Sequence, residues 1–414
     1  MKKSAYNHIV SYKKQYLIYN ALKSSCVILN EMEYENYNNL TGSLREKTEF
    51  LRLGLYVDDH YNEVDVVCYS SRVLTDKSKH QYYRIYTTLK CNAKCPYCYE
   101  RGAEPISMSE KTADNICNFI VDNMVDNTRI ILEWFGGEPL LNKKIINYIC
   151  NKISPICEQR GIKYLSRMTT NGLLVDEEII NDALKTWNLT QVQITLDGLK
   201  QTYERIKGFD TKNAFDRVIC NILLLLDNNF KVTVRLNYDI DNYKEILELI
   251  DFFGERFSKY DNLKISYKKI MNKNDDNSLK ASEDLDLGIL MKCLNNGLIK
   301  NTIDTIQHRD NTCVAHMLHS FMILPDGKIG KCSQAISDND IIGDVVNGID
   351  ENKIVRWCSP RLNQECLDCN LLPLCNGGCL YEKFLNKNFC FASEKILNYT
   401  LKHYLMNYYD SSLK

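Results

Sequence analysis

The sequence predicts an α/β fold: a partial (β/α)6 barrel of the TIM type, with a small α+β domain before it and a cysteine-rich domain after it. Two observations carry this. From Tyr82 to about Ile270, short apolar runs rich in β-branched and aromatic residues alternate with helix-length amphipathic stretches, the pattern of parallel strands joined by crossover helices. The 18 cysteines of the 414-residue chain concentrate in two groups, one beside the first barrel strand and one near the C-terminus. A chain this long has room for two or three domains, and the boundaries fall at 1–80, 81–272 and 310–414.

In the first domain, Gln15 to Asn30 reads as two apolar strands around a Lys-Ser-Ser turn. Glu31 to Asn39 and Leu44 to Leu53 are helix candidates, and the segment from Gly54 to Val67 reads as a helix stop followed by another extended piece. The barrel strands are expected at 84–89, 130–135, 164–170, 192–197, 232–238 and 263–270, with helices around 109–126, 142–159, 176–186, 213–228 and 243–257. No Rossmann glycine fingerprint is present. Residues 272–284 are polar and read as a linker or loop, and the tail from Ser393 as a helix.

Composition bounds the partners. With 52 basic and 53 acidic side chains the formal charge is −1, so no global field draws in nucleic acid. The N-terminus lacks the apolar core of a signal peptide, and no apolar run approaches the ~18 residues of a membrane span. The expectation is a soluble, cytoplasmic protein with neither nucleic acid nor membrane as partner. In a reducing cytosol, clustered cysteines point to metal or redox chemistry rather than to disulfides.

The first group is Cys91-x3-Cys95-Pro96-Tyr97-Cys98, directly after the first barrel strand. Three close thiolates can hold three irons of a [4Fe–4S] cube and leave the fourth iron for a substrate or cofactor. Zinc would want a fourth Cys or His close by. The C-x3-C-x-aromatic-C pattern resembles the signature of the radical S-adenosylmethionine superfamily. That resemblance implies that S-adenosylmethionine chelates the open iron and that its reductive cleavage yields a 5′-deoxyadenosyl radical able to abstract hydrogen from an unactivated C–H bond.

Further residues fit the same resemblance. Gly136-Gly137-Glu138-Pro139, ending the second strand, resembles the motif that holds the methionyl amino group, with Glu138 able to accept from an ammonium. Asn171 lies in Thr170-Asn171-Gly172 at the third strand's end, and Thr195-Leu196-Asp197-Gly198 ends the fourth, where a hydroxyl meets the ribose or carboxylate. Where relatives place Arg before Gly, this chain has Lys207 before Gly208, with Arg205 nearby. Either cation could meet the carboxylate, Lys as a point charge rather than a fork. Tyr97 resembles the aromatic that flanks the adenine.

In the second group, 13 residues separate Cys313 from Gly327 and four separate Gly327 from Cys332, and then follow Cys366-x2-Cys369-x5-Cys375-x3-Cys379 and Cys390. This resembles the seven-cysteine SPASM extension of radical enzymes that act on peptides and proteins. It implies two auxiliary [4Fe–4S] clusters, hence three in all: an outer one on Cys366, Cys369, Cys375 and Cys390, and an inner one on Cys313, Cys332 and Cys379. The bland alternative is two zinc sites. The inner cluster's fourth ligand stays open, with Cys293, Cys358 or a substrate thiolate as candidates.

Sulfatase-maturing relatives carry Asp after the cysteine equivalent to Cys332; here it is Ser333, which argues against formylglycine formation. The first domain loosely resembles the small winged-helix domain that captures leader peptides as an added edge strand. Together these imply a maturase of ribosomally made peptides, of the ranthipeptide or a related type. It would install a thioether or carbon–carbon crosslink in a precursor peptide with a leader and take electrons from a flavodoxin- or ferredoxin-type donor. The alternatives are formylglycine formation, epimerisation, or an iron–sulfur electron-transfer or sensor protein without radical turnover.

Overall fold

A computed structural model of the chain describes residues 1–76, 80–126, 128–270, 278–300, 302–306, 313–358, 362–384, 390 and 392–412. Six strands form in the predicted order: His80–Thr88, Arg129–Gly136, Lys163–Thr170, Leu189–Leu196, Lys231–Tyr238 and Leu263–Lys269. All five ladders between them are parallel and join consecutive strands. The helices Glu110–Asp122, Lys143–Gln159, Glu177–Lys185, Ala214–Asp227 and Tyr243–Phe257 form the crossovers. Their apolar faces pack on Ile85, Ile130, Leu132, Trp134, Met168, Val192, Ile194, Val232, Val234 and Leu236, one parity of the strands. The other parity carries Arg84, Glu133, Arg167, Thr195, Arg235 and Asn237, which gives the sheet's opposite face a polar lining.

The sheet does not stop at the expected boundary of the barrel. Ser320–Ile323 pairs in parallel with Tyr82 to Ile85 of the first barrel strand, and three short antiparallel strands follow it outward, for ten in all. The cysteine-rich part is thus built onto the barrel's edge. A helix at Lys200–Lys207, not expected from sequence, follows the fourth strand and ends where Gly208 turns left-handed at φ 58°. Of the expected linker 272–284, residues 272–277 lie outside the described residues and the remainder opens the helix Ser278–Asn295.

The N-terminal unit differs in two places. A third strand, Asn7–Tyr12, pairs with Gln15–Asn20, which pairs in turn with Ser25–Asn30. Its two-residue turn is Lys13-Lys14, both with positive φ (45° and 61°). Such turns prefer Asn-Gly, so the lysines concealed the hairpin. The extended piece expected after Gly54 is only Tyr56–Val57; Glu63–Asp76 is helical, its start capped by Asn62 accepting from the backbone of Val64 and Asp65.

One face of this three-stranded sheet packs on the helices Glu31–Asn39 and Leu44–Arg52 through Ile18, Leu29, Tyr37 and Phe50. The other face, with Tyr6, Leu17 and Tyr19, packs on Leu397, Leu401 and Leu405 of the C-terminal helix Glu394–Ser412 and on Leu371 and Leu372 beside the last cysteines. His8 Nε2 lies 3.2 Å from the Asn370 carbonyl, a further tie across this contact. Among the described residues, no helix is long and apolar enough to cross a membrane.

Candidate iron–sulfur and cofactor site

The C-terminal ends of parallel strands share one rim, where barrel active sites sit. The cysteine loop leaves the first strand there and is tied down on several sides. Gly137 N donates to Thr88 O and Glu138 N to Lys90 O, both at 3.0 Å; Lys94 N donates to Lys207 O at 2.6 Å; Asn171 Nδ2 donates to Asn92 Oδ1 at 2.6 Å. The double glycine is required by this approach. A Cβ on Gly136, at φ 130°, would meet Thr88 O at 2.1 Å, and one on Gly137 would meet Lys90 O at 2.4 Å. The close contact is between this motif and the strand leading into the cysteine loop.

Glu138 is wholly buried. Its carboxylate accepts from Thr170 Oγ1 and Asn171 N, both at 2.8 Å, and from Leu140 N at 3.1 Å. These bonds lock the second strand's end to the third, and with about four acceptor sites on a carboxylate they leave room for one more donor. Burial pushes its carboxyl up to about 7, against the pull of those hydrogen bonds. Pro139 opens the short turn of 3₁₀ helix that follows.

Asp197 and Lys207, 0% and 2% exposed, form a buried ion pair with Nζ 2.9 Å from Oδ2. Lys207 also donates to Thr195 Oγ1 at 2.8 Å and lies 3.3 Å from the Tyr97 hydroxyl. Tyr97 donates to Asp197 Oδ1 at 2.5 Å, and Asn237 Nδ2 donates to the same oxygen at 3.1 Å. Burial raises Tyr97's pKa far above the ordinary phenol value. The Asp197 charge outweighs burial to hold Lys207 well above the usual lysine range. Of the two cations, then, Lys207 belongs to the site. Arg205 is exposed on the opposite side of its helix, whose inner face carries Tyr203 and Lys207 at the i, i+4 spacing.

The thiols sort into neighbouring groups. Burial pushes Cys91 up to about 11, with Glu138, Cys95 and Cys98 adding to the rise. Cys332 is pushed up to about 11 by burial and then by Cys313 and Cys379. Cys375 is raised by burial and then by Cys369, Cys390 and Cys366. Between Cys375 and Cys379 the chain runs left-handed at Asn376, Gly377 and Gly378 (φ 48°, 83° and 86°), which directs the two cysteines to different groups. Among the described residues, no three Cys, His, Asp or Glu side chains converge as around a single metal ion. Cys293 is buried in the barrel core near Tyr267 and is not a neighbour of the inner group, while the side chain of Cys358 lies outside the described residues.

Sequence reasoning missed the polar lining beneath the rim. Arg84 Nε donates to Glu133 Oε2 at 2.6 Å, Tyr82 also donates to Glu133, and Arg84 Nη1 reaches Ser333 Oγ at 2.9 Å. The residue after Cys332 is thus bonded to the barrel's first strand. A signal was available: Arg84, Glu133, Arg235 and Asn237 each interrupt an apolar strand at the parity opposite to the core.

Comparison with known proteins defines the class. Residues 85–253 match the model of the Radical SAM superfamily. That segment of the chain is thus a radical SAM domain. Fe-coproporphyrin III synthase of Methanosarcina barkeri is 25% identical over 168 residues, 41% of this chain and 39% of that protein. GTP 3',8-cyclase of Clostridium perfringens is 33% identical over 177 residues, 42% of this chain and 52% of that one. The chain spans about half or less of the length of these curated relatives. Among solved structures, native anSMEcpe with bound AdoMet aligns with a TM-score of 0.58 at 16% identity over 77% of this chain and 99% of that one. Streptococcus suis SuiB bound to precursor peptide SuiA aligns at 0.53 and 19% over 95% and 99%. These likenesses are of fold.

Proposed function

We propose that the chain is a SPASM-type radical S-adenosylmethionine maturase. It would install a thioether or carbon–carbon crosslink in a ribosomally made precursor peptide, with electrons from a flavodoxin- or ferredoxin-type donor. The observation that carries this reading is that Cys332 has Cys313 and Cys379 as neighbours while Cys375 has Cys366, Cys369 and Cys390, a group of three and a group of four among the seven C-terminal thiols. Cys91, Cys95 and Cys98 would hold the first cluster, Cys313, Cys332 and Cys379 the inner auxiliary cluster, and Cys366, Cys369, Cys375 and Cys390 the outer one. When bound, the first cluster and S-adenosylmethionine supply a carbon radical that abstracts hydrogen. The chain's own residues would seat the cofactor: Tyr97, Asn171, Thr195, Asp197 and Lys207 line the rim, and Gly136, Gly137, Glu138 and Pro139 hold the loop in place.

A peptide substrate is supported by the fold likeness to SuiB, which extends over the N-terminal unit as well as the barrel. That unit ends in two outer strands, Asn7–Tyr12 and Ser25–Asn30, to which an extended leader could add by backbone hydrogen bonds. The test is anaerobic reaction of the enzyme with reductant, S-adenosylmethionine and a short peptide encoded beside its gene. A loss of two hydrogens per crosslink is expected, and release of 5′-deoxyadenosine with every such peptide left unchanged counts against it. The curated relatives favour a second reading, a small-molecule substrate, which that same negative result would support.

A further inference from the structure

Away from the strand starts, the lining face of the first five barrel strands carries three guanidiniums, Arg84, Arg167 and Arg235, against a single carboxylate, Glu133. That carboxylate is already engaged. Oε2 accepts from Arg84 Nε at 2.6 Å and from Tyr82, and Oε1 lies 3.4 Å from Thr169 Oγ1. Arg84 also donates to Ser333 Oγ at 2.9 Å. Arg167 stands opposite Glu133 in the register, yet its Nε is buried without a hydrogen-bond partner. Arg235 has no carboxylate against it either. Among the described residues its hydrogen bond runs from Nε to Asn237 Oδ1 at 3.1 Å, which leaves both Nη groups to bind elsewhere.

A guanidinium does not give up its proton, so a partly buried one calls for an anion beside it. Burial lowers the pKa of Arg235 and Arg84 adds to the fall, while Tyr99, Tyr97 and Asp197 oppose it. Of these neighbours Asp197 is spent on Lys207, 2.9 Å away. None is a cluster thiol, so Arg235 is not placed to balance the charge of an iron–sulfur cube; Arg84, which acts on Cys332, is. One side chain relates Arg235 to the cofactor residues. Asn237 accepts from it through Oδ1, and through Nδ2 donates to Asp197 Oδ1 at 3.1 Å and to the Tyr97 hydroxyl at 3.2 Å. Arg235 precedes Asn237 by two residues on the same strand, so it lies about 7 Å deeper in the barrel, beneath the residues that would seat S-adenosylmethionine.

We propose that Arg235 anchors a carboxylate of the substrate, gripping it through its Nη groups beneath the cofactor. This deepens the peptide reading above and rests on it. At neutral pH the only anions of an unmodified ribosomal peptide are the carboxylates of Asp, Glu and the C-terminus. The planar fork of arginine matches that group with two parallel hydrogen bonds. The radical then reaches the residue that stands at a set distance from an acidic one.

The test uses full-length protein, reconstituted anaerobically, and a peptide encoded beside its gene that it modifies. Each Asp and Glu of the peptide is changed in turn to Asn or Gln, and the C-terminus is amidated. One of these changes should lower kcat/KM by about tenfold to a hundredfold, the loss of a charged hydrogen-bonded contact. Arg235→Gln should impose a similar loss, and in that variant the same peptide change should cost nothing further. Arg235→Lys should fall between the two. Iron content and S-adenosylmethionine affinity should match those of the unmodified protein. Four results would each overturn the assignment: losses that multiply at every peptide position, activity indifferent to all the peptide changes, iron lost equally in Arg235→Gln and Arg235→Lys, or S-adenosylmethionine binding that falls as far as turnover. The last would give Arg235 to the cofactor's own carboxylate. If no encoded peptide is modified, the maturase reading fails and a defined probe decides the site. Acetylated, amidated Gly-Gly-Asp-Gly-Gly should shield Arg235 from phenylglyoxal in the S-adenosylmethionine-loaded protein, read by mass spectrometry, while its Asn counterpart should not. Equal labelling with both overturns the carboxylate site as well.

Discussion

Replacing Lys207 by Met tests whether the Asp197–Lys207 pair organises the rim. Both groups are at most 2% exposed, and Nζ and Oδ2 stand 2.9 Å apart. Removing one partner of such a pair strands the other as a buried charge, which costs about 3–5 kcal/mol. Tyr97 and Asn237 would still donate to Asp197, so the lower end, about 3 kcal/mol, is expected. Asp197→Asn should cost a similar amount by stranding Lys207 against the neutral Thr195 and Tyr97 hydroxyls. The double variant strands no charge. Its destabilisation should fall short of the summed singles by at least about 2 kcal/mol, within the range measured for contacting residues. The assay is anaerobic urea unfolding of all four proteins followed by tryptophan fluorescence, with S-adenosylmethionine binding measured in parallel. Additivity within about 0.5 kcal/mol would refute the reasoning, because it would mean the two charges do not depend on each other.

Gly136→Ala and Gly137→Ala should each displace the cysteine loop, since the added Cβ would lie 2.1 or 2.4 Å from a backbone oxygen. Iron of the first cluster and S-adenosylmethionine cleavage should fall together while iron on the other cysteines is kept. Deleting residues 1–80 should cost the outer group its iron rather than merely weaken peptide binding. Leu371, Leu372, Leu397, Leu401 and Leu405 would be uncovered, at about 1.5–3 kcal/mol each and on the order of 10 kcal/mol together. Iron analysis of the truncated protein checks this, and full retention of iron would show the contact to be dispensable. Burial moves Glu138 from 4.5 to about 7, so the folded protein holds a proton that the unfolded chain has released. That contribution is complete below pH 4.5 and is lost as pH rises through 7, by up to about 3 kcal/mol. Glu138→Gln should flatten the decline seen in urea titrations at several pH values, leaving the part due to Glu100, which burial also pushes up to about 7.

The barrel was legible because its strands are short apolar runs and its helices amphipathic, so that period alone separates them. The cysteine clusters were legible from spacing, but the division of the seven C-terminal thiols into two sets came from the resemblance to the SPASM extension and not from spacing alone. Other features depend on contacts that no local pattern encodes. The choice of Lys207 over Arg205 follows from which helix face turns inward, on a helix that sequence did not anticipate. The engagement of Glu138 by Thr170 and Asn171 depends on two strand ends meeting. The Lys13-Lys14 turn defies the usual residue preference, and the packing of the N-terminal sheet on the C-terminal helix joins segments nearly 400 residues apart in the chain.

The ladder between Tyr82–Ile85 and Ser320–Ile323 has a mechanical consequence. Two domains joined by a linker can swing apart to admit a bulky guest. Here the first barrel strand is shared, paired with Arg129–Gly136 on one side and with the cysteine-rich part on the other, and the Arg84–Ser333 bond pins the junction. Opening a cleft at that seam would mean breaking a row of backbone hydrogen bonds in the interior of a ten-stranded sheet. The first barrel strand and the strands that lead to Cys332 are therefore one sheet, and any change of shape there falls to the loops at the rim rather than to a hinge.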